Sequence, residues 1–360
     1  MSAETRPLTP AEQLRWTNIG VLAALALLLG YAETFVPIPI PGIKLGLANI
    51  PVLVCLARHD VSGACCIAAI KVLASGLLFG SPITMLYAGA GTALALAGMV
   101  PLSRLRTMRL WMVSVVGALL HVAGQLMVAS LLLGSSVVWY ASPLLLTAAC
   151  VTGVLCGLLA TNLATSLPAH ANAAADNVEP VVARKPRTRT IVASLALVVF
   201  TVVILHLSDP VMLFACTAAM LVCCAATRVP LRRLLGAIRP LTAILVLTFA
   251  MQYVISPQTA PQEALRAVLR LAAIAAASTA FMQIVPTNDP APSIAWLVLP
   301  LTRLGVQTQG FIWAISIAIQ LVPELSSTLH NELAHIQGRP TLRQIQEMLP
   351  RILQSLYDCV

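Results

Sequence analysis

Five polar side chains stand inside or beside long apolar runs: Glu33, Lys44, Asn49, Lys71 and His121. They offer a carboxylate, ammonium groups, an amide and an imidazole, the donors and acceptors that grip a small polar solute. Glu33, Lys44 and Asn49 share one stretch, Glu-Thr-Phe-Val-Pro-Ile-Pro-Ile-Pro-Gly-Ile-Lys-Leu-Gly-Leu-Ala-Asn-Ile-Pro, from Glu33 to Pro51. Pro37, Pro39 and Pro41 remove backbone donors and force extended or turned backbone. Gly42 and Gly46 admit conformations that other residues resist. Irregular backbone at membrane depth is tolerated where protein buries it or where it lines a wet cavity. Two readings are open. One is a substrate-binding loop. The other is an external loop whose prolines turn the chain while Lys44 snorkels to the surface. His121 is either a pocket residue or a hydrogen-bonding partner of a neighbouring helix.

The residue types point to binding rather than catalysis. No Gly-x-x-x-x-Gly-Lys-Ser/Thr is present to cradle a nucleotide phosphate. No two acidic residues are adjacent, so the paired aspartates that hold magnesium against a diphosphate are missing. No Ser/His/Asp or Cys/His constellation stands out, and no Cys-x-x-Cys occurs among the nine cysteines. Cys55, Cys65, Cys66, Cys150, Cys156, Cys216, Cys223 and Cys224 lie in apolar runs and read as small packing residues. The expectation is no catalytic residue, no metal ligand and no cofactor held by this chain. Energetic work would draw on a partner or an ion gradient.

The elements that must position these groups are membrane helices. The 360 residues are 59% hydrophobic and 10% charged, against roughly 25% charged in soluble domains. The expected fold is all-α, with about ten transmembrane helices in two helical bundles. The first half offers spans at residues 17–36, 45–57, 61–79, 83–100, 110–133 and 143–163. Ser166 to Thr190 is polar, carries Arg184, Lys185, Arg187 and Arg189, and reads as a cytoplasmic linker. Spans at 191–207, 211–227, 241–255 and 264–285 follow, with Asp209 placed to cap a helix and Pro210 at its first position. The domains expected are therefore 1–165, a linker at 166–190, and 191–360. The net charge of +9 comes mostly from arginine clusters between spans. It fits cytoplasmic loops and needs no nucleic acid as partner. One alternation puts Arg58, Arg104 to Arg109, Arg184 to Arg189 and Arg228 to Arg239 all inside, with both termini cytoplasmic.

Near the C-terminus, Gly310 to Val322 is apolar but stops at Pro323-Glu324. About 13 residues reach only ~20 Å, too little for a ~30 Å hydrocarbon core. Beyond Pro323, Leu325, Leu329, Leu333 and Ile336 recur every three or four residues, which predicts a separate amphipathic helix ending at Gly338-Arg339-Pro340. It is suited to a membrane surface or to a partner's groove.

Several motifs carry a resemblance. Glu33 ahead of the prolines, Pro-Gly-x-Lys-Leu-Gly-Leu-Ala-Asn at 41–49, Lys71, and Leu-Leu-Phe-Gly-Ser at 77–81 resemble the Gx transporter family, also called heptaprenyl diphosphate synthase component I. That family looks like a relative of the substrate-binding S components of energy-coupling factor transporters. The second half resembles their T component, the transmembrane coupling subunit. Its features are Asp209-Pro210, the basic loop at 228–239, Thr287-Asn288-Asp289-Pro290, Pro300 to Gly305, and Val322-Pro323-Glu324. The first Ala-Arg-Gly motif of T components falls on Gly338-Arg339-Pro340, where Arg339 is kept.

The resemblance implies a fused S-like and T-like chain in a bacterial plasma membrane, taking up a small solute such as a vitamin or precursor. The implied partners are the lipid bilayer, the solute and two ATP-binding-cassette ATPase subunits, which bring ATP and magnesium. The implied substrate-binding residues are Glu33, Lys44, Asn49, Lys71 and His121, and the implied partner-coupling residues are Glu324, Glu332 and Arg339. Two other classes stay open: an accessory membrane subunit of polyprenyl diphosphate synthesis, and a gradient-driven secondary transporter. The topology has a direct test. A cysteine introduced as Ala174→Cys should resist a membrane-impermeant thiol reagent in intact cells and react after permeabilisation; labelling in intact cells reverses the orientation.

Overall fold

The computed structural model describes residues 8–33, 44–78, 82–105, 107–133, 136–166, 188–226, 246, 253–254, 260–284 and 308–334. These residues are almost wholly helical. The helices are α1 (Pro10–Glu33), α2 (Ile50–Ala57), α3 (Val61–Leu78), α4 (Pro82–Ser103), α5 (Leu110–Leu133), α6 (Ser142–Ser166), α7 (Thr188–His206), α8 (Pro210–Ala226), α9 (Ala260–Ile284) and α10 (Thr308–Ala334). By length and composition α1, α4, α5, α6 and α9 can cross a membrane, whereas α2, α3, α7, α8 and α10 contribute shorter apolar stretches. The expected span at 241–255, the linker and the motifs at 287–305 fall almost entirely outside the described residues.

Local chemistry explains the helix starts. Thr9 and Glu12 form a capping box at the head of α1: the Thr9 N–H donates to Glu12 Oε2 at 2.9 Å, and the Glu12 N–H donates to Thr9 Oγ1 at 3.4 Å. Asp209 caps α8, accepting the Val211 N–H at 3.0 Å, with Pro210 at the first helical position as the sequence predicts. Asp60 does the same for α3, accepting the Gly63 N–H at 2.8 Å. The Arg15 guanidinium donates to the same carboxylate at 2.8 Å and also bonds Ser62, tying the start of α1 to the start of α3. Burial pushes the Asp60 carboxyl up, but the bonds from Arg15, Gly63 and Ser62 outweigh it and hold it below the usual carboxylate range.

α1 is the central rod. Of its apolar window 72% is buried inside the protein, against 28% for α4 and 33% each for α5 and α6. A helix apolar on all sides belongs in a core, and one apolar outward as well as inward faces lipid. α2, α3 and α10 pack on α1, while α4, α5 and α6 stack side by side. α9 packs against α7 and α8, and also touches α4 and α5. Polar groups fasten these contacts: Thr217 Oγ1 donates to Leu269 O at 3.2 Å, and Arg270 Nη2 donates to Leu207 O at 2.7 Å. Outward, Val198, Val199, Val202 and Phe214 stay exposed, as a lipid-facing surface requires.

Two findings at the C-terminal helix depart from the sequence expectation. α10 runs unbroken through Pro323 from Thr308 to Ala334 rather than stopping there. Its apolar part also belongs to the N-terminal core: Phe311, Ala314, Ile315, Ile317, Ala318 and Leu321 are buried with residues of α1 and α3. Small residues allow this approach. Gly310, Ala314 and Ala318 recur at four-residue spacing on α10; Gly310 meets Trp16 and Ala314 meets Gly20 of α1. A Cβ at Gly20 would lie 2.8 Å from Ile317 Cβ and 2.9 Å from Ala314 O. A Cβ at Gly310 would fall inside the Trp16 indole. Trp313 Nε1 completes the contact by donating to Thr17 Oγ1 at 3.0 Å. Gly310→Ala should therefore destabilise the protein by about 1–3 kcal/mol, the range for overpacking. Thermal unfolding in detergent reads this as a lower Tm, with partial recovery when Trp16→Leu makes room; an unchanged Tm means the interface is looser than described.

Candidate functional site

The Gly46 turn joins the irregular stretch to α2, and its geometry is set by three helices. Gly46 has φ 80°, ψ 20°, the left-handed conformation that a side chain resists. The peptide unit between Leu45 and Gly46 is held at both ends. Its N–H donates to Glu33 Oε1 of α1 at 2.8 Å, and its carbonyl, Leu45 O, accepts the Cys156 thiol of α6 at 3.1 Å. One turn of 3-10 helix, Leu47–Asn49, follows and is closed by the Asn49 N–H on Gly46 O at 2.9 Å. It leads directly into α2.

Asn49 stands at the N-cap of α2, yet its side chain makes no cap bond. Its Oδ1 instead accepts Lys71 Nζ from α3 at 2.5 Å. Lys71 is buried in α3, and a buried ammonium is costly unless it is hydrogen-bonded or paired. The Asn49 oxygen answers part of it. Glu33 is close enough for its charge to favour the ammonium, while Lys44 opposes it. Glu33 itself ends α1, where the helix dipole disfavours an anion. The Gly46 N–H and the neighbouring lysines offset that placement.

His121 extends the cluster into α5. The charges of Lys71 and Lys44 both reach its ring. His121 Nε2 lies 3.2 Å from Gln125 Nε2 one turn along. Gly91 of α4 admits the ring: a Cβ there would lie 2.9 Å from Nδ1 and 2.8 Å from the His121 carbonyl oxygen.

The structure thus bonds Glu33 to the Gly46 turn and Lys71 to Asn49 between α1, α2 and α3; Lys44 and His121 lie within reach of the Lys71 charge but, among the described residues, form no bond to this group. Among the described residues Glu33 and Lys71 form no direct ion pair; Asn49 and the Gly46 backbone stand as their bonded partners. Among the same residues no group of three His, Cys, Asp or Glu side chains can hold a metal ion. Glu324 and Glu332 lie on α10, and Arg339 lies outside the described residues. Sequence reasoning missed Cys156 and Gln125. Nothing local distinguishes Cys156 from the other cysteines in apolar runs; its role appears only when α6 is laid against the Gly46 turn.

These elements define a helical membrane protein with a polar cluster held on irregular backbone inside its N-terminal bundle. Residues 22–163 match the family described as heptaprenyl diphosphate synthase component I. The match spans α1 to α6 apart from the first turns of α1 and the end of α6, and it contains every residue of the cluster. It supports the S-component-like reading of this half. No curated protein and no solved structure matches the chain.

The two-ended grip on the Leu45–Gly46 peptide is measurable by hydrogen–deuterium exchange over residues 44–49. Glu33→Ala removes an ionised acceptor worth about 1.5–3 kcal/mol and should speed exchange about tenfold or more. Cys156→Ala removes a weaker thiol donor and should speed it about two- to fivefold, whereas Cys156→Ser keeps a donor and stays near the parent rate. Equal rates in all three variants mean the turn is held by something else.

Proposed function

We propose that the chain is the membrane part of an energy-coupling factor type uptake system. The N-terminal half binds a small solute from outside through Glu33, Lys44, Asn49, Lys71 and His121. The C-terminal half, 191–360, transmits conformational work from two ATP-binding-cassette ATPases. ATP and magnesium act on those partners, and the chain itself is not an enzyme. About ten helices in two bundles, a cytoplasmic 166–190 linker and cytoplasmic termini in a bacterial plasma membrane complete the proposal. The observation that carries it is the bond from the buried Lys71 to Asn49 beside the Gly46 turn, which sets an ammonium and an amide on irregular backbone among apolar helices. The family match over the same helices supports it. A fused chain would hold its two halves at high effective concentration.

The matched family, described as heptaprenyl diphosphate synthase component I, favours a second reading, an accessory membrane subunit of polyprenyl diphosphate synthesis. In that case the catalytic acidic pairs come from another chain. A gradient-driven secondary transporter is the third class and needs no ATPase. Purification of the tagged chain from native membranes, with mass spectrometry of what comes with it, separates the three. ATP-binding-cassette ATPases favour the first, a soluble prenyl synthase the second, and neither the third.

Two variants test the halves separately. Lys71→Met should abolish uptake while expression stays intact; normal uptake by this variant removes Lys71 from the site. Arg339→Ala should weaken ATPase co-purification by about 2–5 kcal/mol, the cost of losing one partner of a buried hydrogen-bonded ion pair, yet leave solute binding unchanged. Arg339→Lys should restore only part, since lysine lacks the bidentate fork. Normal transport by Arg339→Ala with its ATPases bound removes the coupling role.

A further inference from the structure

We infer that the solute enters the cluster through an anionic group, a carboxylate or phosphate, held by Lys71, Lys44 and the Asn49 amide. The inference rests on the solute-binding reading above and names the chemistry of what is bound. Its first support is charge. Among the described residues Lys71 is faced by one carboxylate, Glu33, and by the like charge of Lys44, and residues 34–43 between Glu33 and Lys44 contain no ionisable side chain. His121, the further group within their reach, supplies no negative charge. The cluster therefore carries a surplus positive charge that its own turn cannot neutralise.

The second support is hydrogen bonding. Each acceptor group already takes one donor: Glu33 Oε1 the Gly46 N–H, Asn49 Oδ1 the Lys71 Nζ, and Leu45 O the Cys156 thiol. Donors outnumber these bonds. With its oxygen on Lys71, the Asn49 amide turns its Nδ2 donors to the Gly46 side, where that nitrogen lies 3.5 Å from the position a Gly46 Cβ would take. An ammonium has three donors and no acceptor, and the Asn49 bond uses one of those on Lys71. A site rich in donors, positively charged and walled by apolar helices selects an acceptor-rich anion and repels a cation. Lys44 is exposed and Lys71 buried, so the anion passes from the outer lysine to the inner one.

The same headgroup chemistry exists in free organic anions and in anionic lipids, and one experiment separates them. The full chain is reconstituted in phosphatidylcholine nanodiscs, and its Tm is followed with n-butyl phosphate, butyrate, n-butanol and n-butylamine at matched ionic strength. These probes share a tail and differ in head. Butyl phosphate or butyrate should raise Tm above the alcohol and the amine. Lys44→Gln and Lys71→Gln should each raise the half-saturating concentration about tenfold, as expected for loss of a charge-assisted hydrogen bond. Lys44 is solvent-exposed, so its variant keeps the fold intact as a control for the buried one. Equal shifts from all four probes, a larger shift from the amine, no shift from either anion, or anion shifts indifferent to both lysines overturn the inference. Repeating the titration in phosphatidylglycerol-containing discs identifies the source. A lysine-dependent rise in Tm from the lipid itself, with loss of the butyl phosphate response, assigns the site to a lipid headgroup; an undiminished response assigns it to a free anion. Uptake with partner ATPases is read independently. A chain that transports but prefers butylamine keeps the transport reading and loses the anion, and a chain that prefers anions without ATPase-driven uptake does the reverse.

Discussion

An ammonium inside an apolar bundle has to be answered, and Lys71 sets that constraint for the N-terminal half. Its bond to Asn49 Oδ1 takes the side chain that would otherwise cap α2, so α2 begins without the cap its sequence provides. The turn before α2 is then fixed from elsewhere. Glu33 and Cys156 take the two ends of one peptide unit, and Gly46 supplies the left-handed backbone that the turn requires. A forgone cap, a carboxylate at the wrong end of a helix dipole and a positive φ are local costs of the kind that sites, rather than cores, tolerate.

Much of this was legible in the sequence. Apolar runs dictated helices, Asp209-Pro210 dictated a helix start, and Glu33, Asn49 and Lys71, scarce polar residues in apolar runs, are ones that find hydrogen-bond partners across the first helices. Those signals are local: a period, a cap, a charge out of place. What stayed hidden is relational. Cys156 touches Leu45 across 111 positions, and Trp313 touches Thr17 across 296. No window of sequence contains both partners of either pair. Pro323 misled for a related reason. A proline removes a backbone donor and crowds the preceding turn, which argues for a helix break in isolation, but bundle helices accommodate prolines when neighbours re-satisfy the freed groups.

The packing of α10 also separates chain order from spatial order. α7, α8 and α9 form contacts among themselves and reach the first half through α4 and α5. α10, later in the chain, returns to the middle of the N-terminal core. Helices from both ends of the chain therefore share one hydrophobic core.

α1 carries both relationships on one rigid element. Trp16, Thr17 and Gly20 meet α10 near its start, and Glu33 holds the Gly46 turn at its end. With a rise of 1.5 Å per residue, Gly20 and Glu33 stand roughly 20 Å apart along an α-helix. The α10 contact sets the Trp16 indole against Gly310 and Ile317 against Gly20, with little room to absorb a displacement. A shift of α10 along α1 must either break the Trp313–Thr17 bond and drive Ile317 and Trp16 into glycine positions, or carry α1 with it. The second path moves Glu33, and with it the Leu45–Gly46 peptide whose other end Cys156 keeps on α6. The turn that presents Lys44 and Asn49 is thus the place where motion of α1 relative to α6 becomes a change in local geometry.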